Sequence, residues 1–311
     1  MHILDAFESQ RTTFSFEFFP PRTAEAADDL FRNIADLEAL RPTFVSVTYG
    51  AGGGSARDLT ENLVVRLKDE TGLNPMPHLT CVGLDEGRVR AMLERYAAHG
   101  ISNILALRGD HPNGTPAGSG AFRYAAELVA CIKRFNESRA HRDPRGFGIA
   151  VAGFPEGHPE TPNRLLELDY LKAKVDAGAD YVITQLFFDN RDFYDFRDRC
   201  LLAGIRVPII AGIMPITSVG GMKRMAELAL GSRFPAPLIR AINRTGGDPE
   251  AVKRVGVHWA TEQCRDLLDH NVAGIHFYTL NKSRATRDIY ATLGVKDSDA
   301  LRQNGDTPPG T

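Results

Sequence analysis

Eight short segments rich in β-branched and aromatic residues recur along this chain of 311 residues. Most are followed by the apolar spacing of an amphipathic helix, and most repeat at about 30 residues, the length of one strand plus one helix. The segments cover residues 13–18, 44–48, 76–81, 104–107, 148–153, 181–187, 208–213 and 274–279. Eight such units predict an α/β protein with a single (β/α)8 TIM barrel.

The helices of this barrel are predicted from amphipathic patterns between the strands. Glycine follows three of them, at Gly100, Gly178 and Gly204, as is typical of a left-handed helix end. The clearest helical patterns cover residues 24–39, 58–70, 85–98, 164–177 and 192–203.

Two longer connections and the chain end complete the predicted organisation. Residues 110–145 hold a loop and a helix, and residues 215–273 hold two or more helices with a lid at residues 218–221. The barrel is assigned to residues 1–295. The polar residues 296–311, which include Pro and Gly, are predicted to form a flexible tail.

An open doubly wound sheet is the main competing fold. It normally carries a glycine fingerprint after its first strand, whereas residues 18–22 read FFPPR. The glycine-rich residues 50–54 follow the second strand but lack both the P-loop lysine and the GxGxxG order. We therefore interpret these glycine-rich residues as a mobile loop and prefer the (β/α)8 barrel to the doubly wound sheet.

The charge balance favours a small-molecule ligand. The chain has 37 Lys and Arg residues against 39 Asp and Glu residues. Such a balance provides no sustained positive field of the kind that binding to nucleic acid or to an anionic membrane requires. We therefore expect no nucleic-acid partner and no membrane partner.

The cysteines and the first residues indicate a cytoplasmic protein. Cys81, Cys131, Cys200 and Cys264 are far apart and form no CxxC pair, which predicts reduced thiols and neither a disulfide framework nor a metal site. The first residues, MHILDAFE, carry acids where a signal peptide has a basic flank. No stretch is apolar for long enough to span a bilayer.

In a TIM barrel the functional residues lie at the carboxyl end of the strands. Glu17 is the first candidate because aromatic residues flank it in FSFEFF, an environment that disfavours a charged carboxylate and suits a general acid. The alternative is an outward-facing carboxylate paired with Arg22. The other candidates at strand ends are Thr48, His78, Arg108, Asp110, Glu156, His158, Gln185, Asn281 and Lys282.

The pattern alone leaves several candidates with two interpretations. Asp110 suits a ligand or a structural salt bridge, and His78 suits a ligand or a core histidine bonded to backbone. Gln185 suits an amide-bearing ligand or the cap of a strand end. Lys172 and Lys174 are two apart on a predicted helix and cannot share a face, so we expect one of them at most to reach a phosphate.

Seven motifs in order, from the first strand to the last, resemble the bacterial methylenetetrahydrofolate reductases. The resemblance covers about residues 12–295 and implies the same barrel fold. The motifs are FEFFPPR at residues 16–22, FVSVTYG at 44–50, PHLTC at 77–81, ALRGD at 106–110, KVDAGA at 174–179, ITQ at 183–185 and HFYTLN at 276–281.

That family reduces 5,10-methylenetetrahydrofolate to 5-methyltetrahydrofolate with FAD, which NADH or NADPH reduces in a ping-pong cycle. The resemblance implies that Glu17 is the general acid that promotes opening of the imidazolidine ring, and that Asp110 lies near flavin and pterin. It assigns Gln185, Tyr278 and Lys282 to the substrate. Positions that match FAD contacts are Thr48, His78, Arg108, Gly109, Asp110, Tyr124, Phe154, His158, Glu167 and Lys174.

The chain departs from the enterobacterial members of the family at four positions. They have tyrosine at Phe154, aspartate at Glu167 and arginine at Lys282, and a lysine cannot reproduce the bidentate fork of arginine. Their phenylalanine that stacks on nicotinamide or folate aligns with Val219. The sequence therefore leaves NADH, NADPH and a partner protein open as electron donors.

Two other functions compete with the reductase. One is a pterin-binding barrel methyltransferase that works without flavin, and the other is a non-catalytic barrel subunit that binds folate or a partner protein. Neither has a motif of its own in this chain, and a decayed site need not retain Glu17, Asp110 and Gln185. The relatives form homo-oligomers, which we expect here as well.

Overall fold

The computed structural model describes residues 1–49, 54–109, 121–158, 160–229 and 232–302. Eight parallel strands hydrogen-bond in chain order and close on themselves, which confirms the predicted (β/α)8 TIM barrel. Each strand begins and ends within one residue of its predicted position. The strands are β1 (Thr13–Phe18), β2 (Phe44–Val47), β3 (Pro75–Thr80), β4 (Asn103–Leu107), β5 (Gly148–Gly153), β6 (Tyr181–Leu186), β7 (Ile209–Ile213) and β8 (Gly274–Tyr278).

Helices surround the barrel, and the five predicted from amphipathic patterns are all present. The described helices are α1 (Ile3–Ser9), α2 (Ala24–Glu38), α3 (Gly54–Glu70), α4 (Glu86–Ala98), α5 (Ala125–Glu137), α6 (Arg164–Asp176), α7 (Asn190–Leu202), α8 (Val219–Leu228), α9 (Ala236–Arg244), α10 (Pro249–Asp269), α11 (Arg284–Thr292) and α12 (Ser298–Arg302).

The lid predicted at residues 218–221 is the beginning of a helix. Ser218 is the N-cap of α8, and its hydroxyl accepts a hydrogen bond of 2.9 Å from the backbone N–H of Gly221. The side-chain cap satisfies a free N–H group of the first turn and stabilises the helix despite the two adjacent glycines. That this segment moves as a lid stays a prediction.

The core has two layers because side chains alternate along each strand. On β1, Phe14, Phe16 and Phe18 point outward and pack with the surrounding helices in the larger apolar cluster. The lumen holds a smaller apolar cluster that includes Phe44 and Tyr181. Strand residues that face the lumen at its carboxyl end are therefore the ones that line the mouth.

Helix α1 closes the other end of the barrel, and the sequence analysis did not predict it. Ile3 and Ala6 belong to the cluster in the lumen, and the ring of Phe7 lies edge-on to Tyr181 with centroids 5.6 Å apart. The side chain of Asn103 accepts a hydrogen bond of 2.8 Å from the backbone N–H of Ile3. The mouth at the carboxyl end is thus the open face of the barrel.

The start of the predicted tail is a short helix. Ser298 is buried, and its backbone N–H and its hydroxyl both donate to the carbonyl of Leu40, at 3.0 and 2.8 Å. Asp299 forms an ion pair of 2.5 Å with Arg41. A flexible tail was therefore the wrong prediction for residues 298–302, because local polarity does not reveal a contact with a distant loop. Residues 303–311 lie outside the described part of the chain.

Two further features agree with the sequence. All four cysteines are free, and three of them are buried. In the described part of the chain, no helix combines the length and the apolar character needed to cross a bilayer.

Candidate active site

Glu17 points into the mouth of the barrel from the end of β1. Its side chain is 20% exposed, whereas the flanking Phe16 and Phe18 lie on the opposite face of the strand and are fully buried. The expectation that the flanking phenylalanines surround this carboxylate was wrong, because neighbours in sequence point to opposite faces of a strand. Arg22 is exposed, and the two basic side chains within 4 Å of the Glu17 carboxylate in the described residues are both histidines.

The two histidines approach the same carboxylate oxygen of Glu17. The Nε2 atom of His78, on β3, lies 3.5 Å from Oε2, and the Nε2 atom of His276, on β8, lies 3.8 Å from it. Burial lowers the pKa of His78 to about 4, an effect that the Glu17 carboxylate only partly opposes. His78 is therefore a neutral imidazole at neutral pH.

Tyr278 lines the mouth beside Glu17, its partner in the pairing of β8 with β1. Its hydroxyl donates a hydrogen bond of 2.8 Å to the carbonyl of Thr184 on β6. Burial, followed by the Glu17 carboxylate, raises the pKa of Tyr278 well above its usual value. The ring reaches across the lumen because Gly212, on the intervening strand β7, has no side chain there. A Cβ atom at Gly212 would lie 2.8 Å from the ring and 2.4 Å from the carbonyl oxygen of Thr184.

Gln185 lies at the end of β6, beside an irregularity in the pairing of β6 with β7. Its amide oxygen accepts a hydrogen bond of 2.9 Å from the backbone N–H of Leu186. This contact corresponds to the strand-end cap that the sequence left open. The side chain is half-buried, so its amide nitrogen is the group that remains for a ligand.

A basic rim follows on β4. Arg108 is partly exposed and forms an ion pair of 2.6 Å with Glu160 from the loop after β5. Gly109 adopts a φ of +80°, and a Cβ atom there would lie 3.0 Å from Thr80 at the end of β3. Only glycine avoids both the left-handed strain and this close contact. Asp110, the next residue, lies outside the described part of the chain, so its predicted roles remain predictions.

The predicted cofactor residues of β5 and α6 form one cluster. The ring of Phe154 is perpendicular to that of His158, with centroids 4.7 Å apart. The carboxylate of Glu167 accepts a hydrogen bond of 3.2 Å from the backbone N–H of His158. Lys174 donates a hydrogen bond of 2.6 Å to the carbonyl of Ala152 on β5.

Of the two lysines on α6, Lys174 is the one that turns toward the barrel. Burial lowers its pKa to about 8, and the nearby Glu167 carboxylate opposes the shift, so the ammonium group is still predominantly charged at neutral pH. Lys172 pairs instead with Asp176 on its own helix. That Lys174 reaches a cofactor phosphate stays a prediction.

Tyr124 is the N-cap residue of α5 and is 45% exposed. Its ring stacks on that of Tyr170 from α6, with centroids 6.3 Å apart and 22° between the planes. The guanidinium of Arg123 lies 5.1 Å from the ring centroid of Tyr124. Sequence reasoning missed Tyr170. Its position four residues before Lys174, on the same face of the helix, was the available signal.

The remaining predicted residues lie around the same mouth. The backbone of Thr48 bonds to Phe18 at 2.8 Å, next to Glu17. Lys282 is exposed in the loop after β8, and Val219 is 38% exposed at the start of α8. These residues therefore lie at the carboxyl end of the barrel, and their predicted roles remain predictions.

Two other strand-end candidates are used structurally. The side-chain amide of Asn281 bonds to both the N–H and the carbonyl of Phe19, each at 2.8 Å, which joins the loop after β8 to the loop after β1. The side chain of Glu156 is almost completely buried and forms an ion pair of 3.1 Å with Arg233. Neither residue is needed to explain ligand binding.

The fold and these residues define a TIM-barrel protein with a carboxylate between two imidazoles in its mouth and a basic, aromatic rim beside it. Comparison with known sequences identifies the group within this class. The methylenetetrahydrofolate reductase family matches residues 2–294, and the chain belongs to that family.

Individual relatives support the assignment. The 5,10-methylenetetrahydrofolate reductase of Escherichia coli K12 is 41% identical over 282 residues, which cover 91% of this chain and 90% of that protein. The methylenetetrahydrofolate reductase (NADH) 1 of Arabidopsis thaliana is 39% identical over 310 residues, which cover 96% of this chain but only 51% of the plant protein. The chain thus spans about half the length of that relative.

A solved structure extends the likeness to the fold. A Clostridium thermocellum protein described as binding two copies of 5-methyl-5,6,7,8-tetrahydrofolic acid has a TM-score of 0.62 and covers 95% of this chain and 99% of its own. Its sequence identity is 13%, so this likeness concerns the fold alone.

Proposed function

We propose that this protein reduces 5,10-methylenetetrahydrofolate to 5-methyltetrahydrofolate with FAD as cofactor and NADH or NADPH as electron donor, in a ping-pong cycle. The observation that carries the proposal is the Glu17 carboxylate, held between two imidazoles at the open end of the barrel. Family membership and the name of the Escherichia coli relative support the same reaction.

Glu17 supplies the proton that the reaction consumes. Reduction of the methylene bridge takes up one hydride and one proton, and the proton is needed at the nitrogen that leaves when the imidazolidine ring opens. In its protonated form Glu17 is a general acid, a role worth about 10²–10⁴-fold in rate. Both histidines approach Oε2, so we assign the other carboxylate oxygen to the substrate.

The residues of the rim fit FAD. The Nε2 atom of His78 is buried and has no hydrogen-bond partner among the described residues, which suits a polar group of an isoalloxazine ring. Arg108 and Lys174 provide cations for a pyrophosphate, and the stacked pair of Tyr124 and Tyr170 provides a flat surface for adenine. When bound, the flavin accepts a hydride from the nicotinamide and passes it to the folate.

Lys174→Met is expected to weaken FAD binding by about 10–100-fold, because it removes a positive charge that is partly shielded from solvent. The measurement is the dissociation constant from quenching of flavin fluorescence. Lys172→Met is the matched control, since Lys172 lies on the same helix but pairs with Asp176 at its surface. Equal dissociation constants for the two variants would remove Lys174 from the cofactor site.

The function is tested first by the colour of the purified protein. After reconstitution with FAD, the flavin absorbance is expected to bleach anaerobically with NADH or NADPH and to recover when 5,10-methylenetetrahydrofolate is added. A protein that binds folate but takes up no FAD would support the pterin-binding methyltransferase or the non-catalytic subunit instead. Comparing the two nicotinamides identifies the donor.

A further inference from the structure

His276 is a histidine in the lumen of the barrel, and its exposed fraction is only 1%. Its Nδ1 atom lies 2.7 Å from the hydroxyl of Ser15, and its Nε2 atom lies 3.4 Å from the hydroxyl of Ser46. The ring stacks on Phe44, with centroids 6.1 Å apart and 17° between the planes. The orientation of the imidazole is therefore fixed by the two hydroxyl groups at its nitrogens and by the Phe44 ring against one of its faces.

The position of this imidazole follows from the strand register. His276 pairs with Ser15 on β1, and Tyr278, two residues further, pairs with Glu17. Glu17 in turn pairs with Ser46 on β2. Residues two apart on a strand share a face, so the three strands bring two hydroxyls, one imidazole and one carboxylate to the same side of the barrel.

His276 is a polar residue beside an apolar part of the lumen. Met76, Leu105 and Ile183 belong to the apolar cluster there. A histidine in the next layer needs two hydroxyl partners to offset its burial. Its Nε2 atom also faces Oε2 of Glu17 at 3.8 Å, a polar contact that an apolar residue would not provide.

We propose that His276 is a positioning residue for Glu17. It is anchored by Ser15 and Ser46 and holds the Oε2 side of the carboxylate, so that Oε1 is directed to the substrate. The expected effect of His276 on the reaction rate rests on the proposed function. The contact between His276 and Glu17 does not depend on that function. His78 approaches the same oxygen from β3, and its Nε2 atom forms no hydrogen bond within the part of the chain that the structure describes, so we leave it to the cofactor.

Two substitutions separate positioning from structural support. In His276→Asn the amide lies near the position of Nδ1 and retains the contact with Ser15, but the side chain no longer reaches Glu17, which still faces His78. In His276→Gln the amide lies near the position of Nε2 and retains the contact with Glu17. We expect the asparagine variant to slow reoxidation of the reduced flavin by 5,10-methylenetetrahydrofolate by about 10–100-fold, the usual cost of losing an orienting partner. The glutamine variant is expected to recover most of that rate.

Flavin reduction by NADH or NADPH is the internal control, because it does not need the acid. Both variants are expected to keep the wild-type rate of this half-reaction. The same two changes in a Glu17→Gln background are expected to alter the folate half-reaction by less than about twofold, since residues that act through one another are not additive. Equal slowing of both half-reactions, or an undiminished effect of His276→Asn in the Glu17→Gln background, would overturn the proposal.

A measurement without turnover keeps the proposal testable if the folate reaction itself is absent. In protein labelled with ¹⁵N-histidine, Glu17→Gln is expected to shift the Nε2 resonance of His276, identified by its loss in His276→Gln.

A third variant serves if His276→Gln or His276→Asn does not bind FAD. Ser15→Ala keeps the imidazole and removes its hydroxyl partner at Nδ1, and a smaller slowing of the folate half-reaction is expected. An unshifted resonance, or a Ser15→Ala protein with wild-type folate kinetics, would contradict the contact.

Discussion

Replacing Glu17 by glutamine is expected to slow the folate half-reaction by at least about 10²–10⁴-fold, the contribution of a positioned general acid. Glutamine has almost the same shape as glutamate but has no carboxyl proton to donate. It also retains an oxygen that can face His78 and His276, so the two imidazoles keep a polar neighbour. The measurement is the anaerobic rate at which 5,10-methylenetetrahydrofolate reoxidises the reduced flavin.

Reduction of the flavin by the nicotinamide is the control for the same variant. This step transfers a hydride without a proton from Glu17, so its rate is expected to stay within about threefold of the wild-type rate, a difference well below 1.4 kcal/mol. A variant that loses both half-reactions to the same extent would contradict the acid role and indicate a general disturbance of the mouth.

Replacing Gly212 by alanine is expected to lower the free energy of unfolding by about 1–3 kcal/mol, the range for overpacking a filled interior. The new methyl group would lie 2.4 Å from the carbonyl oxygen of Thr184 and 2.8 Å from the ring of Tyr278. A backbone oxygen in a strand cannot move far, so the tyrosine has to move and its hydrogen bond to Thr184 is lost. Urea denaturation measures the loss.

Gly220→Ala is the matched control for that experiment. Gly220 lies in the first turn of α8, and beyond its chain neighbours and its own helix backbone no described atom lies within 4 Å of the position of an added Cβ. Alanine is favoured over glycine in a helix by about 0.5–1 kcal/mol, so this variant is expected to be slightly more stable than the wild type. If Gly212→Ala were equally stable, the close packing of Tyr278 against β6 would be wrong.

The fold was predictable because the sequence pattern of a strand followed by a helix is repeated eight times. Eight strands and the helices between them each report the same βα unit, and an error of one residue at a strand end leaves the topology unchanged. Helix α1 and helix α12 belong to no such unit. Their positions depend on contacts with Tyr181 and Leu40, far away in the sequence, which a local pattern does not contain.

The site was predictable to the extent that it follows from position on a strand. Glu17 was found because it ends β1, but its neighbours were misjudged, since the flanking phenylalanines point to the other face. His276 was missed although it lies two residues before Tyr278 and therefore shares its face. Its relation to Glu17 appears only when β8 closes the barrel against β1.

The residues proposed to contact the electron donor differ from those expected in the enterobacterial relatives. Val219 and Lys282 are exposed at the mouth, where enterobacterial relatives are expected to have phenylalanine and arginine. An aliphatic side chain provides no ring for stacking, and a lysine contacts a carboxylate as a point charge. The contacts that select NADH or NADPH are thus a matter for measurement.

A single turnover under anaerobic conditions tests the central claim most directly. FAD-loaded protein is reduced with one equivalent of NADH or NADPH, freed of nicotinamide and mixed with 5,10-methylenetetrahydrofolate whose methylene carbon is ¹³C. The account predicts one labelled 5-methyltetrahydrofolate for each flavin that is reoxidised, detected by mass spectrometry. Reoxidation without that product, or a reduced flavin that the folate leaves unchanged, would contradict it.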